Sequence, residues 1–271
     1  METVVLPGYG SWFPAQLGAL HGLHERGELR ALKHIICTSG GALACLLYIA
    51  GVSLEQVEDG MDRWSPVYDP SQLPSTWGVL TEASQLELTQ IVESTWCANT
   101  GMAPGFTFAE LHARYPIRIT VIATDLERQA AAAFDHETHP NVAVIDAVSA
   151  SVAIPFVFRP IRWGGRLYAD GMLVLWSALR TLGDPRTMGV VALCARSSQR
   201  EPVDTHLWRY AHVVLATIAQ EQQILFQTVF NPQYTCEVHV PKVNILKLPP
   251  ESLRTLYTTG LAAAEARSCN R

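Results

Sequence analysis

Between Thr3 and Ala50 the chain runs twice from a short apolar strand, through a turn of small residues, into a helix. Thr3 to Leu6 leads into Pro7-Gly8-Tyr9-Gly10, and Pro14 to Leu29 follows with Leu17, Leu20 and His24 at helical spacing. Pro14 suits a first helical turn, where its missing N–H costs nothing. His34 to Thr38 is the second strand, and Gly40 to Ala50 is a helix apolar on every side, hence a buried one. Consecutive strand–turn–helix units predict an α/β fold around a mostly parallel sheet.

The rest of the chain continues in kind. Ser53 to Trp64 reads as a helix with a Ser53–Gln56 capping box, and Thr107 to Arg114 repeats the device with Thr107 and Glu110. Glu82 to Trp96, Val142 to Ala153, Asp204 to Val229 and Pro250 to Arg267 are further predicted helices. Ile117 to Ala123, Ala130 to Phe134, Arg166 to Ala169, Gly189 to Cys194 and Glu237 to Lys247 are predicted strands. Asp69 to Val79 reads as an irregular loop. With 271 residues and no evident linker or repeat, a single domain over 1–271 is expected.

The second turn carries the first chemical signal. In Cys37-Thr38-Ser39-Gly40-Gly41 a serine sits where strand becomes helix. A sharp turn there pushes the hydroxyl out of the sheet, beside a helix N-terminus suited to a developing oxyanion. The flanking residues Cys37 and Gly41 must be small, because the turn packs their backbones together. Ser39 is equally placed to be a plain helix N-cap. Gly8-Tyr9-Gly10 occupies the corresponding turn of the first unit. Glycine-rich turns at helix starts form anion-binding concavities, which in acyl transfer act as oxyanion holes. A plain βα turn is the bland alternative, and the dinucleotide fingerprint fails because Phe13 stands where the third glycine belongs. Asp170-Gly171 ends the Arg166 to Ala169 strand. It fits a turn, or a general base if Asp170 reaches Ser39.

Composition removes several classes. The net charge is −5 and no Lys/Arg run stands out, so nucleic acid is not an expected partner. The nine histidines show no H-E-x-x-H spacing, so neither a metal nor another cofactor is expected. The six cysteines form no C-x-x-C pair, and the opening METVVLPG lacks a basic segment before its apolar run. Free thiols in a reducing, cytoplasmic setting are the expectation, with peripheral contact at membranes.

In order and spacing these segments resemble the patatin-like phospholipase family. Its glycine-rich loop, G-x-S-x-G elbow, A-S-x-A-x-P-x-x-F segment and D-G-G or D-G-A turn are matched by four stretches. They are Gly8-Tyr9-Gly10-Ser11-Trp12-Phe13, Cys37 to Gly41, Ala150 to Phe158 and Asp170-Gly171-Met172. The likeness runs over about residues 4–175, and 176–271 is less clearly matched. It implies a three-layer α/β/α sandwich. It also implies a lipid acyl hydrolase with Ser39 as nucleophile, Asp170 as general base and backbone amides of Gly8, Tyr9 and Gly10 as the oxyanion hole. The substrate would be a lipid or other acyl ester. Departures from the pattern are Cys37 and Tyr9 in place of glycines, Trp12 and Phe13 in place of arginine and glycine, and Met172 after the aspartate.

Three other readings compete. One is a Ser–His–Asp esterase with His206, His212 or His239 as base. Another is a lipid-binding protein that kept the fold without catalysis. The third is acyl transfer to an alcohol. Asp125 and His34 read as structural residues, Phe13 as core. Trp77 and Trp96 are candidates for a substrate cover or membrane-touching rim, with loop packing as the alternative.

Overall fold

Side-chain alternation along the strands decides which helices cover which face of the sheet. In β1 (Thr3–Leu6) Val4 and Leu6 enter one core and Val5 enters another. β2 (His34–Cys37) repeats this, with Ile35 and Cys37 on the first side and Ile36 on the second. The chain is seen in a computed structural model that describes residues 1–62, 82–155, 157–195, 207–240 and 250–267. The predicted loop around Trp77, the end of the strand beyond residue 240, and His206 lie outside these residues.

The larger core is closed by α1 (Phe13–Glu25), α2 (Gly40–Ile49), α3 (Leu54–Asp62), α4 (Glu82–Thr100), α5 (Phe108–Arg114), α6 (Val144–Ser151) and α9 (Pro250–Ala266). The smaller one lies under α7 (Leu175–Leu182) and α8 (Leu207–Val229), through Leu175, Leu179, Phe226 and Phe230. Helices on both faces of one sheet make the expected three-layer sandwich. Each fully buried Leu or Ile stabilises this arrangement by about 1.5–3 kcal/mol relative to an exposed one.

The remaining strands are β3 (Arg118–Asp125), β4 (Ala130–Phe134), β5 (Ile161–Trp163), β6 (Arg166–Asp170), β7 (Gly189–Ala195) and β8 (Thr235–Val240). Their order is β5-β6-β3-β2-β1-β7-β8, with β4 paired to β3. The pairs β1–β2, β2–β3, β1–β7 and β7–β8 are parallel, and those among β3, β4, β5 and β6 are antiparallel. Both predicted capping boxes form: Ser53 N–H donates to Gln56 and Gln56 N–H to Ser53, and Thr107 exchanges the same bonds with Glu110.

Several elements differ from the sequence reading, among them α7, which that reading does not contain. The first helix stops at Glu25, four residues short of Leu29. Gly27 adopts φ +71°, and the N–H groups of Gly27 and Glu28 close back onto the carbonyls of His24 and Leu23. That is a glycine-terminated Schellman cap. β5 was not anticipated. It pairs with β6 through Gly164-Gly165, both at positive φ, as a two-residue hairpin turn requires. Trp96 is not on a rim: it is fully buried in the larger core, stacked on Phe106 at 5.2 Å. As α4 continues to Thr100, Trp96 lies inside a helix and not beside a loop.

Candidate active site

β3 is the ruler of the site. It pairs with β2 up to Cys37–Val121, and two residues further on it pairs Ala123 with Asp170 of β6. Ser39 follows β2 by two residues. The shared strand therefore brings together two residues 131 apart in sequence, and Ser39 Oγ donates a 2.6 Å hydrogen bond to Asp170 Oδ2.

Ser39 occupies the N-cap position of α2, but its hydroxyl caps nothing. Its backbone adopts φ 50°, ψ −129°, a left-handed conformation that costs a non-glycine residue about 1–3 kcal/mol. The surroundings enforce it. A Cβ on Gly41 would run into the Leu6 carbonyl and one on Gly40 into the Gly10 carbonyl. The two glycine-rich turns are thus pressed backbone to backbone. Ser39 N–H donates to Ser151 Oγ at 2.8 Å, and Ser151 Oγ donates onward to the Ile122 carbonyl at 2.6 Å. Thr38 Oγ1 donates to the same carbonyl at 3.2 Å.

Asp170 is buried and fixed on every side. Its Oδ1 accepts the Met172 N–H at 2.8 Å, its carbonyl accepts Thr124 Oγ1 at 2.7 Å, and its N–H donates to Ala153. Burial raises the carboxyl pKa to about 6, against the downward pull of the bonds from Ser39 and Met172. At neutral pH such a group is ionised yet basic enough to take a proton. Gly171 admits no side chain, since a Cβ there would collide with the Ile122 carbonyl and Thr38 Oγ1.

Gly8 passes beside the serine: a Cβ on it would lie 2.6 Å from Ser39 Cβ and 3.4 Å from Ser39 Oγ. Its N–H has no protein acceptor among the described residues. Gly10, at φ +53°, backs onto Gly40 at the start of α2. The Tyr9 hydroxyl is buried, which pushes its pKa up. A strained serine against a buried carboxylate, flanked by glycine amides at a helix start, is suited to acyl transfer.

The family profile of the patatin-like phospholipases matches residues 4–175. The chain belongs to this family. Among solved structures, VipD from Legionella pneumophila superposes with a TM-score of 0.57 at 14% identity, covering 98% of this chain and 66% of that one. Full-length ExoU of Pseudomonas aeruginosa, in complex with SpcU, gives 0.49 at 13% identity, covering 98% and 52%. The chain spans between half and two thirds of the length of those proteins. No curated protein sequence matches it. The likeness to VipD is one of fold, the patatin-like sandwich.

Against the family pattern, Cys37 is a fully buried residue whose thiol faces the Thr120 carbonyl at 3.6 Å, with burial pushing its pKa well up. It is unsuited to nucleophilic attack. Phe13 is core, as expected. Trp12 packs half-buried against the larger core, and its Nε1 has no partner among the described residues. Asp125 binds the N–H of Arg128 at 3.0 Å and Arg166 at 3.3 Å, and His34 binds Thr120 at 2.8 Å, so both serve structure. His239 is exposed on β8, which β7 and β1 separate from β2. Ser151, inside the Ala150 to Phe158 segment, and Gln16, inside the first helix, carry no local sequence signal of a place at the site. No described helix is long and apolar enough to cross a membrane.

Proposed function

We propose that the chain is a lipid acyl hydrolase working through a Ser39–Asp170 dyad. Family membership and the patatin-like fold support lipid acyl hydrolysis in general. The 2.6 Å bond from Ser39 Oγ to Asp170 Oδ2 is the observation that carries the dyad.

In this mechanism Asp170 takes the Ser39 proton as Oγ attacks the ester carbonyl carbon. The carbonyl oxygen becomes an oxyanion held by backbone amides of Gly8, Tyr9 and Gly10, with the N-terminus of α2 behind it. The intermediate collapses, the C–O bond to the leaving alcohol breaks, and Asp170 returns the proton to that alcohol. Water then attacks the acyl-Ser39 ester with Asp170 again as base. Carboxylic acid leaves and the free hydroxyl is restored. The substrate is a phospholipid, lysophospholipid or simpler acyl ester, met by transient contact with a lipid surface. The described elements after residue 175 are taken to belong to the same domain, a reading supported by the packing of α9 on α1.

A fluorophosphonate probe with mass-spectrometric site mapping tests this reading, alongside fatty-acid release from a lysophospholipid. Labelling at Ser39, lost together with turnover in Ser39→Ala, is the expected result. A folded wild-type chain that neither labels nor hydrolyses any acyl ester would leave lipid binding as the function.

A further inference from the structure

Gln16 is fully buried in the first turns of α1, among Phe13, Leu17 and Leu20, where an apolar side chain would pack without desolvating an amide. Its Nε2 donates to the carbonyls of Pro7 at 3.0 Å and Val191 at 3.3 Å. The β1–β7 ladder ends at Val5–Val190, so these carbonyls lie just past the point where the strands stop pairing. One amide group thus fills the gap left by the ladder.

The Pro7 carbonyl belongs to the peptide whose N–H is that of Gly8. Every peptide bond described is trans, so this N–H points opposite to the carbonyl. On its other flank the Pro7 oxygen faces Gly41, 2.8 Å from where a Cβ would stand. With the oxygen held between Gln16 and Gly41, the peptide plane is fixed. The Gly8 N–H is then turned away from Gln16, on a residue that touches Ser39. Without the Gln16 bond the plane is free to rotate. A flipped peptide would present a carbonyl where a donor is needed, and repel the oxyanion.

We propose that Gln16 is a positioning residue of the oxyanion hole, holding the Pro7–Gly8 peptide so that its N–H faces the reacting carbonyl oxygen. The proposal rests on the Ser39–Asp170 reading. It explains why a buried helix position beneath the turn carries a donor. Gln16 itself does not touch substrate.

The test uses Gln16→Met, which keeps the length of the side chain and removes its donors. An oxyanion donor acts mainly in the transition state, and deleting one outright lowers kcat by about 10²–10³. Misaiming one of several donors is expected to lower kcat roughly 10- to 100-fold with KM little changed. Affinity for an alkyl boronic acid, which forms a tetrahedral adduct, should fall by a similar factor. Affinity for a non-hydrolysable ether analogue of the substrate should not change. Wild-type kcat and boronate affinity in Gln16→Met would overturn the proposal, as would equal weakening of both ligands. Ser39→Ala, run in parallel, separates the two ideas: an active Ser39→Ala chain sinks the dyad itself. Should Gln16→Met not fold, a crystal structure of the wild-type boronate adduct decides. Gly8 N within hydrogen-bond reach of the boronate oxygen, with Gln16 Nε2 still on Pro7, supports the role. An oxygen turned away from Gly8 refutes it.

Discussion

Ser151 Oγ accepts the Ser39 N–H at 2.8 Å, so the serine's own amide is occupied and unavailable to another acceptor. The same hydroxyl donates to the Ile122 carbonyl on β3 at 2.6 Å, tying the elbow to the strand that also pairs with Asp170. In Ser151→Ala both Ser39 N–H and the Ile122 carbonyl lose this partner in a buried setting. A stability loss of about 1–3 kcal/mol is expected from denaturant unfolding. Turnover should fall as well, because the φ 50° conformation of Ser39 loses a support. Unchanged turnover would show that α2 and the glycines hold the elbow unaided.

Ser39→Ala should reduce acyl-ester hydrolysis by at least about 10⁴-fold while leaving the melting temperature near that of the wild type. The residual rate reports what the oxyanion hole and substrate binding achieve alone. Steady-state kinetics on a chromogenic ester give the number.

The pH dependence of kcat/KM should rise with pH along a limb centred near 6, because only ionised Asp170 accepts the serine proton. A limb centred near 4 would mean that Asp170 is solvated in the working enzyme. In that case water, rather than burial, sets its basicity.

Asp170→Asn should abolish turnover and yet stabilise the fold at neutral pH. Burial raises the folded pKa from 3.8 to about 6, so between those values the folded chain binds more protons than the unfolded one. Stability contributed by this group is complete below about pH 4 and lost as pH rises through 6. An asparagine escapes that loss. The variant should gain on the order of 2–3 kcal/mol at pH 7.5 and little at pH 4, by thermal or urea melts at both values. A variant less stable at both would show that the Ser39 and Met172 bonds outweigh the burial of charge.

Gly260→Val tests whether the C-terminal helix belongs to the catalytic body. A Cβ at Gly260 would strike the Ala15 carbonyl of α1, and Gly18 meets Tyr257 of α9 in the same close crossing. Forcing the helices apart should cost about 1–3 kcal/mol or more. The loss should appear in a single cooperative transition together with that of activity. Separate unfolding of α9 with activity retained would place residues 250–267 outside the domain.

Much of this was legible because local chemistry and tertiary context agreed. Small residues around Ser39 and Gly8 announced tight turns, and two strand–turn–helix units in a row announced a parallel sheet. The choice between nucleophile and helix cap was not legible locally, since both put serine at the same position. It is the conformation at φ 50° that sends the hydroxyl to Asp170 instead of into α2. Gln16 was silent for a different reason: a polar residue in a helix reads as exposed unless one knows that unpaired carbonyls wait beneath it. The stop at Gly27 and the turn at Gly164-Gly165 were written plainly, as a C-cap glycine and a two-glycine hairpin. Periodicity simply spoke louder there than turn chemistry.

Because β3 meets both Cys37 and Asp170, the spacing of the two reactive groups is set by strand register and not by the length of chain between them. The stretch between α2 and β3 is then, for this spacing, a detour. Segments can be lengthened or exchanged at its surface turns, such as Gly101 to Gly105, without altering the distance from hydroxyl to carboxylate. A scaffold built this way tolerates change in the detour while the bond from Ser39 to Asp170 stays put.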